Sequence, residues 1–501
     1  MGLTHRRPVD TAGIYSDLFR SESEVIQREI YQEAITLVRD PFGLIPLRYL
    51  DRRRIASLAI GDSLVNKFQE RLSSYATTDH YHLPASFTKR EADSMVFTLN
   101  SYDVVILGLF STQSKPDQRF GVTPELEALI DTLGKLHRTI LVVLGTPYAL
   151  HVLDQEQLPE SVIVAYQNTE ISQEKAAEGA FGGISMTGSL PVTVGEIPIQ
   201  AGLHTDKCRL SFIIPEEMGI PREAFDGIDS LLLEGIAAGA YPGCQVLFAV
   251  NGKVIYYKAF GHPRYKDTTD VKISDLYDLA SITKVAATTL AIMKLDDIGL
   301  MKPTDTLGAF LPELSQSNKS RLTIKDVMTH QAGLEPLIRF YEIPGITRDS
   351  IYRIISDSPL LPKKEYRYSD IGFYLLKEII ERLTQKKFDA YLEDQFYKPL
   401  GLQTMCFNPL LRFDSASIIP TEVDSLFRHQ LVHGKVHDQG AWLLGGIAGH
   451  AGLFSNALDL AILFEMLLDG GNYGGKRYLS SHVIKEYTRA PYSEIGNRRG
   501  L

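Results

Sequence analysis

Cysteine is scarce in this 501-residue chain: Cys208, Cys244 and Cys406 are scattered and odd in number. That usage argues against a disulfide framework, and the spacing fits no metal site. No stretch approaches the roughly 18 consecutive apolar residues of a membrane span. With a net charge of −9, the chain lacks the basic excess that a nucleic-acid partner requires. Neither a GxGxxG nor a P-loop lies between a strand-like and a helix-like segment, so no cofactor is expected. Internal repeats and low-complexity tracts are missing, and the short Arg52-Arg53-Arg54 run reads as a solvated face. The opening MGLTHRRPVD is polar, without the apolar core of a signal peptide.

What remains is an ordinary globular composition, 44% hydrophobic, at a length that calls for two domains. Between about Arg20 and Val194, the runs IASLAIGD, DVVILGLF, TILVVLGTP and SVIVAYQN are short, β-branched and bounded by Gly, Asp, Pro or Asn, as buried parallel strands are. SESEVIQREIYQEAITLV, ELEALIDTLGKLH and ISQEKAAEGAFGG read as the helices between them. The expected architecture is an α/β sandwich: an open, mostly parallel sheet with helices on both faces. Its Gly, Thr and Asp residues at strand ends read as turn formers rather than ligands. Around Glu196 to Arg222 the helical periodicity fades and Pro and Gly accumulate, which places a linker at 201–218 between a first domain at 1–200 and a second at 219–501. The second opens with a helix in FDGIDSLLLEGIAAGAYPG and a hairpin turning at Asn251-Gly252.

The chemistry is concentrated in Ser281-Ile282-Thr283-Lys284, followed further on by Tyr368-Ser369-Asp370. If a helix begins near Ser281, residues three apart share a face, and the hydroxyl and ammonium project together. A helix start also favours a developing anion. Serine is a weak nucleophile until a base takes its proton. Lys284 is either that base or, as a cation, the stabiliser of a Tyr368 phenolate. The SxxK spacing alone carries little weight, because Ser86/Lys89 and Ser172/Lys175 repeat it. Only Ser281 opens a long apolar helix and is followed by further matching segments. For Tyr368 the plain alternative is a half-buried aromatic at a loop-to-helix junction.

Those segments are DLASITKVAATTLAIMKLDDIGLMKPTDTLGAFLP, LTIKDVMTHQAGL, YRYSDIGFYLLKEIIERLT, LGLQTM and GGIAGHAGLFSNALDLAILFEMLL. In order and spacing they resemble the penicillin-recognising serine hydrolases: class C β-lactamases, DD-peptidases and related esterases. The resemblance runs from about Gly219 onward and implies an α+β fold of the β-lactamase/transpeptidase type. It makes Ser281 the nucleophile, Lys284 and Tyr368 the acid/base pair, and Asp370 the substrate-side group. The family pattern has asparagine where Asp370 stands. Aspartate cannot donate a side-chain N–H to an amide carbonyl and adds negative charge, which weakens a β-lactamase reading and leaves esterase and peptidase readings open.

The family also implies a third motif, Lys or His followed by Thr/Ser and Gly, on a strand opposite the serine. His450-Ala451-Gly452 is a runner-up for it, since its surroundings match an earlier segment that leads into a surface helix. The motif is expected later than Leu501, so the second domain is expected to be cut short. Loss of that strand would remove an oxyanion donor, typically about 100-fold to 1000-fold in rate, and weak activity is the expectation.

Residues 1–200 carry a second resemblance. EAITLVRDPFGLIPLR, VVILGLF, LVVLGTPYAL and AYQNTEISQEKAAEGAFGGISMTGSLPVTV resemble the C-terminal α/β sandwich of family 3 glycoside hydrolases, of the β-N-acetylhexosaminidase and β-glucosidase types. The catalytic barrel that precedes it in that family has no counterpart here, and no paired carboxyls for glycosidase chemistry stand out. Three readings follow: a serine hydrolase fused to a glycosidase accessory domain, a fragment of a hexosaminidase-type glycosidase, or a non-catalytic remnant that binds sugar or peptide. The partner is a small-molecule, peptide or glycan substrate, and the resemblance implies a periplasmic or exported parent protein.

Overall fold

The structure is a computed structural model that describes residues 13–14, 20–62, 64, 66–362 and 365–501. The polar Met1–Asp10 stretch lies outside the described residues. The chain divides into two compact units, residues 1–48 with 52–228, and residues 49–51 with 229–501.

The first unit runs through α1 (Ser21–Ala34), β1 (Thr36–Arg39), β2 (Ile55–Ile60), α2 (Lys67–Ser73), β3 (Thr78–Leu83) and α3 (Lys89–Leu99). It continues with β4 (Val104–Leu109), α4 (Pro124–Leu136), β5 (Arg138–Val143), β6 (Ser161–Val164) and α5 (Glu170–Phe181). The sheet order is β1-β6-β5-β4-β2-β3. All pairs are parallel except β1, which runs antiparallel to β6 at the edge. β2 and β4 are buried at every position, as their unbroken aliphatic runs require. The helices fall into two packed groups, α1 and α2 against α5, and α3 against α4. Two strands depart from the sequence reading. The ITLV end of the first helical run leaves the helix and becomes β1, and TDHYHL, too polar to register as a buried strand, forms the edge strand β3. Residues that follow 200 hydrogen bond within this unit: Leu203 N–H donates to Leu37 O at 2.8 Å and Cys208 N–H to Gly182 O at 2.8 Å.

The chain passes from β3 across β2 to β4, and at such a reversal open α/β sheets leave a crevice for ligands. At the ends of these strands the described loops approach one another closely. Gly61 (φ +90°) packs so closely that a Cβ would lie 2.5 Å from Ser111 Cβ, and one on Gly145 would lie 1.6 Å from Thr112 Oγ1. These glycines let three strand-end loops close on each other. Replacing Gly61 by Ala is expected to destabilise the first unit by about 2 kcal/mol in urea unfolding. Gly43→Ala, with φ +64° and nothing within 4 Å of the new methyl, is expected to lose only about 1 kcal/mol. Equal losses would contradict the close-packing account.

Helix α6 (Asp226–Ala237) begins at the end of the first unit and runs into the second, which continues with the hairpin β7 (Gly243–Val250) and β8 (Lys253–Gly261). Asn251 (φ +51°) and Gly252 (φ +72°) turn it, both in the left-handed region that a two-residue hairpin loop needs. There follow β9 (Tyr277–Asp278), α7 (Leu290–Asp297), α8 (Ile324–Met328), α9 (Ile371–Thr384), β10 (Cys406–Phe407), β11 (Leu453–Ser455), α10 (Ala457–Leu468) and α11 (Ser481–Thr488). Strand β11 lies between β9 and β10, antiparallel to both. This short sheet carries the chain into the segment that presents Ser281.

Candidate active site

Ser281 does not open a regular α-helix. It sits in a 3₁₀ turn, Ala280–Ile282, followed by a π-helical stretch over Lys284–Thr289 before α7 begins. Ala280 takes φ +45°, a conformation a side chain rarely adopts. Asp278 holds this turn: its Oδ1 accepts from Ala280 N–H at 2.8 Å and its Oδ2 from His437 N–H at 2.7 Å. Burial pushes the Asp278 carboxyl above the usual carboxylate range. The wider π-turn is tied from outside, since Tyr397 Oη donates to Ala286 O at 3.0 Å and Thr288 Oγ1 to Gly449 O at 2.6 Å. π-Helical turns gather at functional sites for this reason: they re-aim side chains.

The result is an exposed serine hydroxyl beside a lysine that is only 4% exposed. Lys284 Nζ donates to Ser281 Oγ at 2.9 Å and to His450 O at 3.2 Å. It also lies 2.6 Å from Asp370 Oδ1. A lysine ammonium has three N–H groups and no lone pair, and three acceptors surround this one. Tyr368 and Phe373 supply the adjoining wall, with Nζ 4.9 Å and 5.5 Å from their ring centroids. Of the four residues singled out in the sequence, Ser281 and Asp370 meet at Lys284 Nζ, and Tyr368 adjoins them through its ring. Asp370, expected on the substrate side, has its Oδ1 against Lys284.

The Tyr368 segment is fixed by backbone bonds to the loop after α8. Arg367 N–H donates to His330 O at 3.0 Å, Ser369 N–H to His330 Nδ1 at 3.1 Å, and Asp370 N–H to Pro336 O at 3.0 Å. The His330 ring lies 4.5 Å from the Tyr368 ring. Burial, reinforced by Arg499 and Lys284, lowers the His330 imidazole to about 3, so it is neutral at physiological pH. His450 has a different part from the one its motif suggested. Its ring is 1% exposed, stacks on Tyr374 at 4.4 Å, and bonds through Nε2 to Asp438 Oδ1 at 2.8 Å. Its carbonyl is what reaches Lys284. Burial opposes ionisation of Asp438, but the bond to His450 outweighs it and holds the carboxyl at about 2.

Of the other two SxxK pairs, one is buried in a helix and the other, Ser86/Lys89, is exposed. Ser172 and Lys175 are fully buried in α5, the serine accepting from Thr169 N–H at 3.0 Å and the lysine lying 3.5 Å from Glu178. Lys89 is the first residue of α3. No group of three or more His, Cys, Asp or Glu among the described residues could hold a metal ion.

A family model described as Beta-lactamase matches residues 228–499. The chain is 32% identical over 307 residues to a protein of Escherichia coli named "Putative D-alanyl-D-alanine carboxypeptidase", covering 55% of this chain and 70% of that one. A protein of the same name from Salmonella typhi is 30% identical over 308 residues, covering 55% and 71%. Among solved structures, the octameric penicillin-binding protein homologue from Pyrococcus abyssi matches with TM-score 0.44 and 22% identity over 53% of this chain and 60% of that one. A hydrolase with promiscuous acyltransferase activity matches with TM-score 0.44 and 21% identity over 53% and 76%.

Because His330 is held neutral, its folded value of about 3 lies below the unfolded value near 6.5. Below pH ~6.5 the unfolded chain takes up a proton that the folded chain refuses, so stability falls with pH down to about 3, by at most about 1.4 kcal/mol per unit. Unfolding of His330→Gln should therefore show a shallower loss between pH 6 and 4 than the wild type. Parallel curves would remove His330 from the acid response.

Proposed function

Since the chain belongs to the beta-lactamase family of serine hydrolases, we propose that its second unit works through an acyl-enzyme on Ser281. The observation that carries the proposal is the contact line of an exposed Ser281 Oγ, Lys284 Nζ at 2.9 Å and Asp370 Oδ1 at 2.6 Å. Lys284 donates to Ser281 Oγ and His450 O and is ion-paired with Asp370, and in this reading it acts as a cation that stabilises the alkoxide. Tyr368 is then the group that takes the serine proton. As Oγ bonds to the acyl carbon, the proton moves to the Tyr368 phenolate. It passes on to the leaving group when the acyl bond breaks, and a water reverses the sequence to free the enzyme.

The substrate class is a peptide or ester with a D-amino-acid acyl donor, in keeping with the carboxypeptidase name carried by the relatives. Asp370 favours this over a β-lactam, because a carboxylate already engaged with Lys284 offers no N–H to the lactam side chain. Such peptides belong to the cell wall, so an exported or periplasmic parent is part of the proposal. Among the described residues no helix is long and apolar enough to cross a membrane. We propose the first unit as an accessory, glycan-facing scaffold. That reading rests on its sequence resemblance, and no glycosidase residue is assigned.

A p-nitrophenyl ester should give a burst of nitrophenol stoichiometric with enzyme. A fluorophosphonate should add one mass increment, located on Ser281 by peptide mapping. Ser281→Ala should lose both, with turnover down by at least about 1000-fold. Equal burst and labelling in the variant would refute the assignment.

A further inference from the structure

Proton transfer through Tyr368 needs positive charge near its oxygen, and the charges around that ring do not come only from Lys284. The groups recorded against the Tyr368 ring are Lys284 from the π-turn, His330 from the loop after α8, and Arg499, with Asp370 from the start of α9 standing against Lys284 and Tyr366 against His330 and Arg499. Lys284 is matched by Asp370 at 2.6 Å. His330 is buried and carries no charge at neutral pH. Arg499 is left as the cation without a carboxylate partner among the described residues. Its guanidinium carbon lies 5.4 Å from the Tyr368 ring centroid and 5.5 Å from that of Tyr366.

The placement of Arg499 is specific. Asn497 is 4% exposed and uses both ends of its amide, Nδ2 donating to Thr329 O at 2.9 Å and Oδ1 accepting from Arg499 N–H at 3.1 Å. Thr329 precedes His330, so one side chain ties the Arg499 backbone to the loop that also fixes the Tyr368 segment. Tyr492 adds a second anchor, its Oη donating to Asp326 Oδ1 at 2.7 Å. Arg499 itself is exposed, so its guanidinium is held over the ring by its backbone tether and by ring contact rather than by burial.

We propose that Arg499 is a positioning residue for acyl transfer, acting through Tyr368 by supplying the positive charge that Lys284, matched by Asp370, does not. In the step it supports, the reactive form of Tyr368 is the phenolate, which accepts the Ser281 proton while Oγ bonds to the acyl carbon and returns the proton to the departing group. A guanidinium above a tyrosine is worth more as the ring becomes anionic. The inference rests on the acyl-enzyme reading given above.

The test is the pH profile of kcat/KM for a p-nitrophenyl ester in wild type, Arg499→Gln, Arg499→Lys and Arg498→Gln. Arg499→Gln should lose about fivefold to tenfold on the acid side, with its acid limb moved to higher pH and the curves converging above it. Arg499→Lys, which keeps a cation over the ring, should recover at least half of that loss, and exposed Arg498→Gln should superpose on wild type. A parallel fall at every pH, or no change, would overturn the role of Arg499 alone. Wild-type turnover no greater than that of Ser281→Ala would overturn the acyl-enzyme reading and this inference with it.

Discussion

An ammonium taken out of water must be surrounded by acceptors, and in the second unit that requirement falls on Lys284. Moving such a charge into a protein interior is unfavourable by several kcal/mol unless partners compensate. The compensation comes from three separate stretches of chain: the turn that carries Ser281, the carbonyl of His450 ahead of β11, and Asp370 at the start of α9. Each is fixed by its own bonds before it meets the lysine. Asp278 holds the turn, the Asp438 and Tyr374 contacts lock the His450 ring, and the His330 loop pins the backbone of Arg367 through Asp370. The nucleophile is thus poised by a convergence that the fold would need even without chemistry, because leaving Asp370 out would strand a buried charge.

Sequence patterns disclosed this site unevenly. Ser281 and Lys284 sit within one turn of each other, and Tyr368 and Asp370 within one tripeptide, so local spacing was enough to bring them forward. Asp278 carried a weaker signal: an acidic residue two places before Ala280 is a common turn former, and nothing in the sequence says that the same carboxylate also holds His437 N–H. His330 lay inside a segment already matched to the family, yet its neutrality is set by burial and by Lys284 and Arg499, none of them near it in sequence. Arg499 had no local signal at all, since its place over Tyr368 is made by Asn497 reaching across to Thr329. The regular helix expected at Ser281 gave way to 3₁₀ and π turns that Asp278, Tyr397 and Gly449 hold through bonds to Ala280, Ala286 and Thr288, a tertiary effect that helix propensity does not contain. In the first unit, aliphatic runs marked β2, β4, β5 and β6. The edge strands β1 and β3 escaped because one continued a helical pattern and the other is polar.

The two units solve opposite problems. In the first, glycines at the ends of the central strands let the following loops pack closely on one another. In the second, a non-glycine residue, Ala280, is held in a left-handed conformation to lift a hydroxyl into solvent, favouring access at the expense of local comfort. Strain of this kind persists only where surrounding bonds over-determine it, and the double acceptance by Asp278 does so here.

The central claim is that Ser281, Lys284 and Asp370 act as one unit rather than as three independent contributors. A double-mutant cycle on the rate of Ser281 acylation, using Lys284→Ala, Asp370→Asn and the combined variant, addresses it directly. If the unit is real, the double variant will be about as slow as the worse single one, since the second change removes a partner whose role has already gone. Losses that multiply, each substitution subtracting its full effect independently, would contradict the account.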